Sequence, residues 1–378
     1  MRLLCSMRIA VLSVFPPFRG GIAQFNDSMC AAFGQNGHTV LKVNFKRQYP
    51  RLLFPGESQY DEASTPLENA LLDSINPLTW KETARFIAAY KPDLLVVPFW
   101  QPFLLPALTA ASNHVKSLAP EIEIIGLLHN ATSHESQSLG SYFIRRYLKS
   151  IDRAWTLSEA VASHPLVKAN QTRIQQLFHP VYNHFPNLCD QHYSRKRLGL
   201  PNAEEAQIIL FFGLIRAYKG LDVLLEALPK IQNEGKPVHL VIAGEAYEDW
   251  GKYERIINEH EVQDIVHVYN YFIANEDVPV FFGAADAVCL PYRSASQSGV
   301  TAIAIQYGIP VVASAVGGLV EYFKGNSLGR LCPPNDPSGL SEAISSQLRA
   351  PLLQPEEVKA VQDRFSWDAF SKLALTSA

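Results

Sequence analysis

Residues 211–228 read FFGLIRAYKGLDVLLEAL. The stretch begins at the end of an apolar run, 207–212, crosses a short loop carrying two glycines and two cations, and enters an amphipathic helical pattern. A buried strand that feeds a helix through a glycine-bearing loop is the repeating unit of an α/β domain. The alternation continues in both directions. Further apolar runs follow at 238–243, 265–269, 287–290 and 310–313; others precede it at 8–14, 39–44, 93–99 and 123–129, separated by helical patterns such as 22–34 and 104–116. Runs such as LLVVPF and IIGLLH lack polar alternation, the pattern of a parallel sheet covered on both faces.

Two series of strands in 378 residues are more than one core holds comfortably, so two domains are expected. The stretch near 180–205 is rich in Pro, Asn and charge and has no period, which is the composition of a linker. Apolar residues make up 47% and charged residues 18%, which excludes a disordered or coiled-coil chain. With 33 Lys and Arg against 36 Asp and Glu the net charge is −3, so nothing marks a dedicated nucleic-acid binder and any ligand-binding cation must act locally. The five cysteines (Cys5, Cys30, Cys189, Cys289, Cys332) are scattered, which indicates neither a disulfide framework nor a zinc site and suits a reducing compartment. Arg8 interrupts the first apolar run and no small-residue cleavage site follows, so that run reads as a buried strand for which Met7 would be a natural start. No uninterrupted apolar run reaches the roughly 20 residues needed to cross a bilayer. The expected location is cytoplasmic, either free or peripheral at the inner face of the membrane.

Open parallel sheets bind ligands at the carboxyl ends of their strands, so function is expected in the strand-to-helix loops. In the first loop, residues 13–22, the adjacent Gly20 and Gly21 at a helix start allow close backbone approach and offer free amides to an anion; a plain tight turn is the alternative. In the loop after 207–212, Arg216 can fork onto two oxygens while Lys219 supplies a point charge. That pair suits a diphosphate, although solvated loop cations would look the same. In the third loop, residues 290–300, Ser296 or Ser298 can cap the next helix and leave the amides of Gly299, Val300 and Thr301 pointing outward. Segments 45–54 and 142–149 mix cations with aromatics, a pattern shared by helices that touch an anionic membrane and by ordinary surface helices.

Taken in order, GGIAQF (20–25), LLHN (127–130), FFGLIRAYKGLDVLLEAL, DAVCLPYRSASQSG (286–299) and GIPVVASAVGGLVEYF (308–323) resemble the group 1, GT4-type retaining glycosyltransferases of the GT-B fold. The resemblance implies two Rossmann-like parallel-sheet domains facing across a cleft: an acceptor domain over 1–185, a linker over 186–205, a nucleotide-sugar domain over 206–364, and a last helix, 365–378, returning to the first domain. It implies transfer from a nucleotide-diphosphate sugar to a sugar, lipid-linked or other hydroxyl acceptor in glycan, glycolipid or polysaccharide synthesis, without metal or cofactor. Lys219 matches the family's donor-phosphate lysine. Arg216 lies three positions beyond Gly213, whereas most members place their arginine where this chain has Leu214. His129 matches a histidine at the transferring sugar, with His134 and Glu135 near enough in sequence to assist the acceptor. The family's paired glutamates fall at Ala295 and Ile303, so sugar contacts are expected instead from Gln297 or from the backbone of Ser298, Gly299 and Val300. Tyr271, Phe272 and Ile273 match the region that holds the base; Gly317, Gly318 and Glu321 match a loop at the cleft. Residues 45–66 are expected to select the acceptor. Rival readings are a GT-B epimerase or phosphorylase, and a two-lobed sugar-binding protein without chemistry, which would ordinarily carry a secretory signal.

Overall fold

In the first sheet β1 (Arg8–Ser13) is an interior strand, with five of its six residues wholly buried. It pairs in parallel with β2 (Thr39–Arg47) and β4 (Leu94–Phe99), and β3 (Ala70–Asp73), β5 (Glu123–Leu128), β6 (Arg153–Thr156) and β7 (Arg173–Gln176) complete the order β3-β2-β1-β4-β5-β6-β7. The second sheet has the order β10-β9-β8-β11-β12-β13, with β8 (Gln207–Phe212), β9 (Val238–Ala243), β10 (Val266–Tyr269), β11 (Ala287–Leu290), β12 (Val311–Ser314) and β13 (Gly329–Cys332). Every strand pairing is parallel, so each connection runs over a sheet face, and both sheets are Rossmann-like. The computed structural model describes residues 6–18, 20–50, 69–130, 138–169, 173–182, 185–231, 236–351 and 353–376.

By contacts the chain divides into two units, 1–179 with 367–378, and 180–366. The segment expected as a linker, 186–205, is not a free tether. Asp190 caps the helix Gln191–Arg197 by accepting from the Tyr193 N–H, and that helix packs on Val278–Ala284. Gly283 permits the approach, since a Cβ there would lie 2.5 Å from the Cys189 carbonyl oxygen. Arg195, fully buried, pairs with Asp286 and donates to the carbonyls of Ala284 and Ala206. The charge of Arg195 therefore serves docking. The last helix begins at Trp367, whose ring lies 5.0 Å from that of Phe25 in the first unit.

Four strands escaped the sequence reading: β3, β6, β7 and β13. Each is four residues long, and ALLD, RAWT, RIQQ and GRLC lack the apolar block that marks the central strands. In each sheet the winding reverses once, between β1 and β4 and between β8 and β11. The carboxyl ends of those pairs are where such sheets hold ligands.

Candidate active site

The loop after β8 turns at Gly213, whose φ of +88° favours glycine. A Cβ at this position would meet the Lys219 Nζ at 3.1 Å and the Val300 Cγ2 at 3.5 Å, so the end of β8, Lys219 and the start of the helix Gly299–Tyr307 converge. The turn Ala217–Lys219 is followed by Gly220 at φ +70°, where a Cβ would lie 2.1 Å from the Pro291 carbonyl oxygen after β11. Both strands that flank the reversal point thus contribute to one place.

Lys219 is only 7% exposed, yet among the described residues its ammonium has neither an ion pair nor a hydrogen bond; its Nζ sits 5.8 Å from the centre of the Tyr292 ring. Burial, reinforced by the charge of Arg216, pushes its pKa down to about 8. Arg216 is exposed, with its guanidinium 5.1 Å from the Tyr247 ring centre, and among the described residues it also lacks an ion pair. Two like charges near one another, with no ion pair among the described residues, are the charge arrangement that an anion would relieve. Ser298 is the cap of the following helix: its Oγ accepts from the Thr301 N–H at 3.3 Å. Thr301's amide is therefore committed, contrary to the sequence expectation, which leaves those of Gly299 and Val300 ahead of the first intrahelical bond. Tyr292, buried behind Lys219, hydrogen-bonds Ser298.

Around this centre, Gln297 is half-buried in the β11 loop. Ala295 contributes its carbonyl, which accepts from Gly318 at 3.3 Å and would lie 1.7 Å from a Cβ at Gly317, so the turn that leads into the helix Leu319–Phe323, which bears Glu321, packs against it. Ile303 is buried in its helix. Beyond β10, Tyr271 and Phe272 are 53% and 67% exposed, open to stacking, whereas Ile273 is buried and takes a core position. Sequence reasoning missed Tyr247 and Tyr292, because a ring that supports a cation from another loop leaves no mark in spacing.

In the first unit, Gly20 (φ +111°) precedes the helix Gly21–Gln35, whose start has no side-chain cap. Buried Asn44 accepts from the Phe15 N–H at 3.0 Å, and Asn26 donates to Ser13 and Val14, fixing the loop that presents Gly20 and Gly21. His129 follows β5, 5% exposed, with its ring 4.8 Å from that of Phe25. Burial, then the charge of His179, pushes its pKa down to about 3, so at neutral pH it is an uncharged imidazole and a weak base. His134 and Glu135 lie outside the described residues, as do 51–66 of the expected acceptor loop. The helix Ser138–Leu148 buries Ile144, Tyr147 and Leu148 and exposes Tyr142, as an ordinary surface helix does. Among the described residues no helix is long and apolar enough to cross a membrane, and no cluster of three or more His, Cys, Asp or Glu suits a metal.

Residues 194–362 match the family described as glycosyl transferases group 1. The matched stretch is just under half of the chain. It contains Arg216, Lys219 and the capped helix at Ser298. The D-inositol 3-phosphate glycosyltransferase of Xylanimonas cellulosilytica is 33% identical over 182 residues, 46% of this chain and 42% of that protein. The chain thus spans less than half the length of such curated relatives. A Rickettsia africae glycosyltransferase of solved structure superimposes with a TM-score of 0.70 at 17% identity, covering 98% of this chain and 97% of its own. Anabaena HepE, solved with UDP and glucose, gives 0.64 at 16% identity, covering 98% and 99%. Likeness over both units gives the chain the GT-B fold of these glycosyltransferases.

Proposed function

We propose that the protein moves a sugar from a nucleotide-diphosphate donor to a hydroxyl acceptor, with retention and without a metal. The observation that carries the reading is Lys219: a buried lysine that among the described residues has no ion pair, near Arg216 and the start of the helix Gly299–Tyr307. A diphosphate leaving group satisfies all of these at once, and its charge grows as the bond from the sugar's anomeric carbon to oxygen breaks. The acceptor oxygen bonds to that carbon from the face the diphosphate leaves, the bonding pair departs with the diphosphate, and the hydroxyl proton passes to a departing phosphoryl oxygen. No side-chain base is required, which suits the weak basicity of His129; its neutral imidazole can hydrogen-bond the sugar instead. Tyr271 and Phe272 offer faces for the base, and Gln297 and Glu321 are candidate sugar contacts.

HepE's bound UDP and glucose make UDP-glucose the first donor to try. Glycan, glycolipid or polysaccharide synthesis in the cytoplasm, with or without peripheral membrane attachment, belongs to the same proposal. The test is release of nucleoside diphosphate from a panel of UDP-, ADP- and GDP-sugars with and without added acceptors. Wild type should turn over at least one donor, and Lys219→Ala should lower the rate roughly 100-fold or more with its circular dichroism unchanged. Equal rates for the two proteins would refute the assignment of the site.

A further inference from the structure

Arg293 follows β11 and has no place in the phosphate site above, yet it grips the turn that carries Lys219. Its backbone N–H donates to the Tyr218 carbonyl at 2.7 Å, and its Nη1 donates to the Ala217 carbonyl at 2.6 Å. Nη1 and Nη2 then fork onto the Asp222 carboxylate at 2.9 and 3.0 Å. Asp222, three residues beyond Lys219, also accepts from Lys252 Nζ at 2.9 Å, out of the helix Gly251–Glu259 that follows β9. The loops after β8, β9 and β11 are tied at one carboxylate. The turn Ala217–Lys219 is a single turn without a side-chain cap and has little stability of its own. Repulsion from Arg216 and the pull of solvent both favour swinging Lys219 outward.

We infer that Asp222 and Arg293 are positioning residues: their forked pair holds the Ala217–Lys219 turn against the start of the helix Gly299–Tyr307, so that the Lys219 ammonium and the Gly299 and Val300 amides meet the same phosphoryl group. The inference rests on the nucleotide-sugar reading and deepens it. A planar fork is what the geometry uses, so neither a lysine at 293 nor an amide at 222 replaces it.

The test is calorimetric titration of the full chain at pH 7 with uridine, adenosine and guanosine diphosphates, and with the monophosphate of whichever base binds tightest. Asp222→Asn and Arg293→Gln should each weaken the diphosphate at least tenfold and the monophosphate less than twofold, because only the second phosphoryl group loses its partner. The double variant should be no weaker than the worse single one, as expected for two halves of one device. Arg293→Lys, the gentlest change, should show a smaller loss confined to the diphosphate. Equal weakening of both nucleotides, unchanged binding, or failure of all these variants to fold would overturn the clamp and leave the pair a purely structural one. Wild type binding none of the three diphosphates would overturn the nucleotide-sugar reading, and the clamp with it.

Discussion

At the scale of single residues the decisive feature is an ammonium kept where water would serve it better. Between its ordinary 10.5 and about 8, the shift at Lys219 amounts to roughly 3 kcal/mol against the charged form. The folded-state value is depressed, so between pH 8 and 10.5 the unfolded chain binds more protons and stability rises with pH. Unliganded Lys219→Met should therefore melt above wild type at pH 7, with the gap closing toward pH 10.5; differential scanning calorimetry across that range checks it. Ligand binding has the opposite sign. Wild-type affinity for a nucleoside diphosphate should fall as pH rises through about 8, while Lys219→Met, already weak, should show no such fall. A flat wild-type profile would mean that the ammonium does not meet the ligand. His129 follows the same logic for an imidazole: with its pKa pushed down to about 3, the unfolded chain takes up the proton first as pH drops below 6.5. Its contribution to the first unit's stability is lost over that range, and His129→Leu should flatten the acid side of the melting curve.

At the scale of elements, the site is a meeting of loops, and legibility followed distance along the chain. Arg216 and Lys219 share one short loop after an apolar strand, and Ser298 obeys a capping rule, so all three could be read from the sequence. Arg293 and Asp222 are 71 positions apart, and nothing local in either reports the pairing. Strands buried on both faces were legible, whereas RAWT and RIQQ take their strand character from neighbours already in the sheet. The segment 186–205 shows the same limit: its composition is that of a linker, while the bonds of Arg195 to Asp286, Ala284 and Ala206, which pin the helix Gln191–Arg197 to the second unit, leave no local mark. Removing such a buried partner costs about 3 kcal/mol or more. Arg195→Ala should lower the urea midpoint accordingly, and a change under about 1 kcal/mol would show the helix to be dispensable. Gly220→Ala, at φ +70° against the Pro291 carbonyl, should weaken diphosphate binding by displacing the Lys219 turn, seen as a raised Kd.

At the scale of the whole molecule, two sheets of like winding carry unequal amounts of recognisable chemistry. The family match covers 194–362, which holds the proposed phosphate site, while the first unit is identified through its fold. That division is physical. A phosphate site is built from a few fixed parts, a cation and helix-start amides, whereas loops that select an acceptor vary with the acceptor. Retention, as a property of the complete reaction, should appear in the anomeric coupling constant of the product by proton NMR. The central claim, that Lys219 and Arg216 hold the diphosphate, is met most directly by a crystal structure with the nucleoside diphosphate that binds tightest. Phosphoryl oxygens within about 3.2 Å of the Lys219 Nζ and beside the Gly299 and Val300 amides are the predicted result. Ordered density for the diphosphate elsewhere, with both cations facing only solvent, would contradict it.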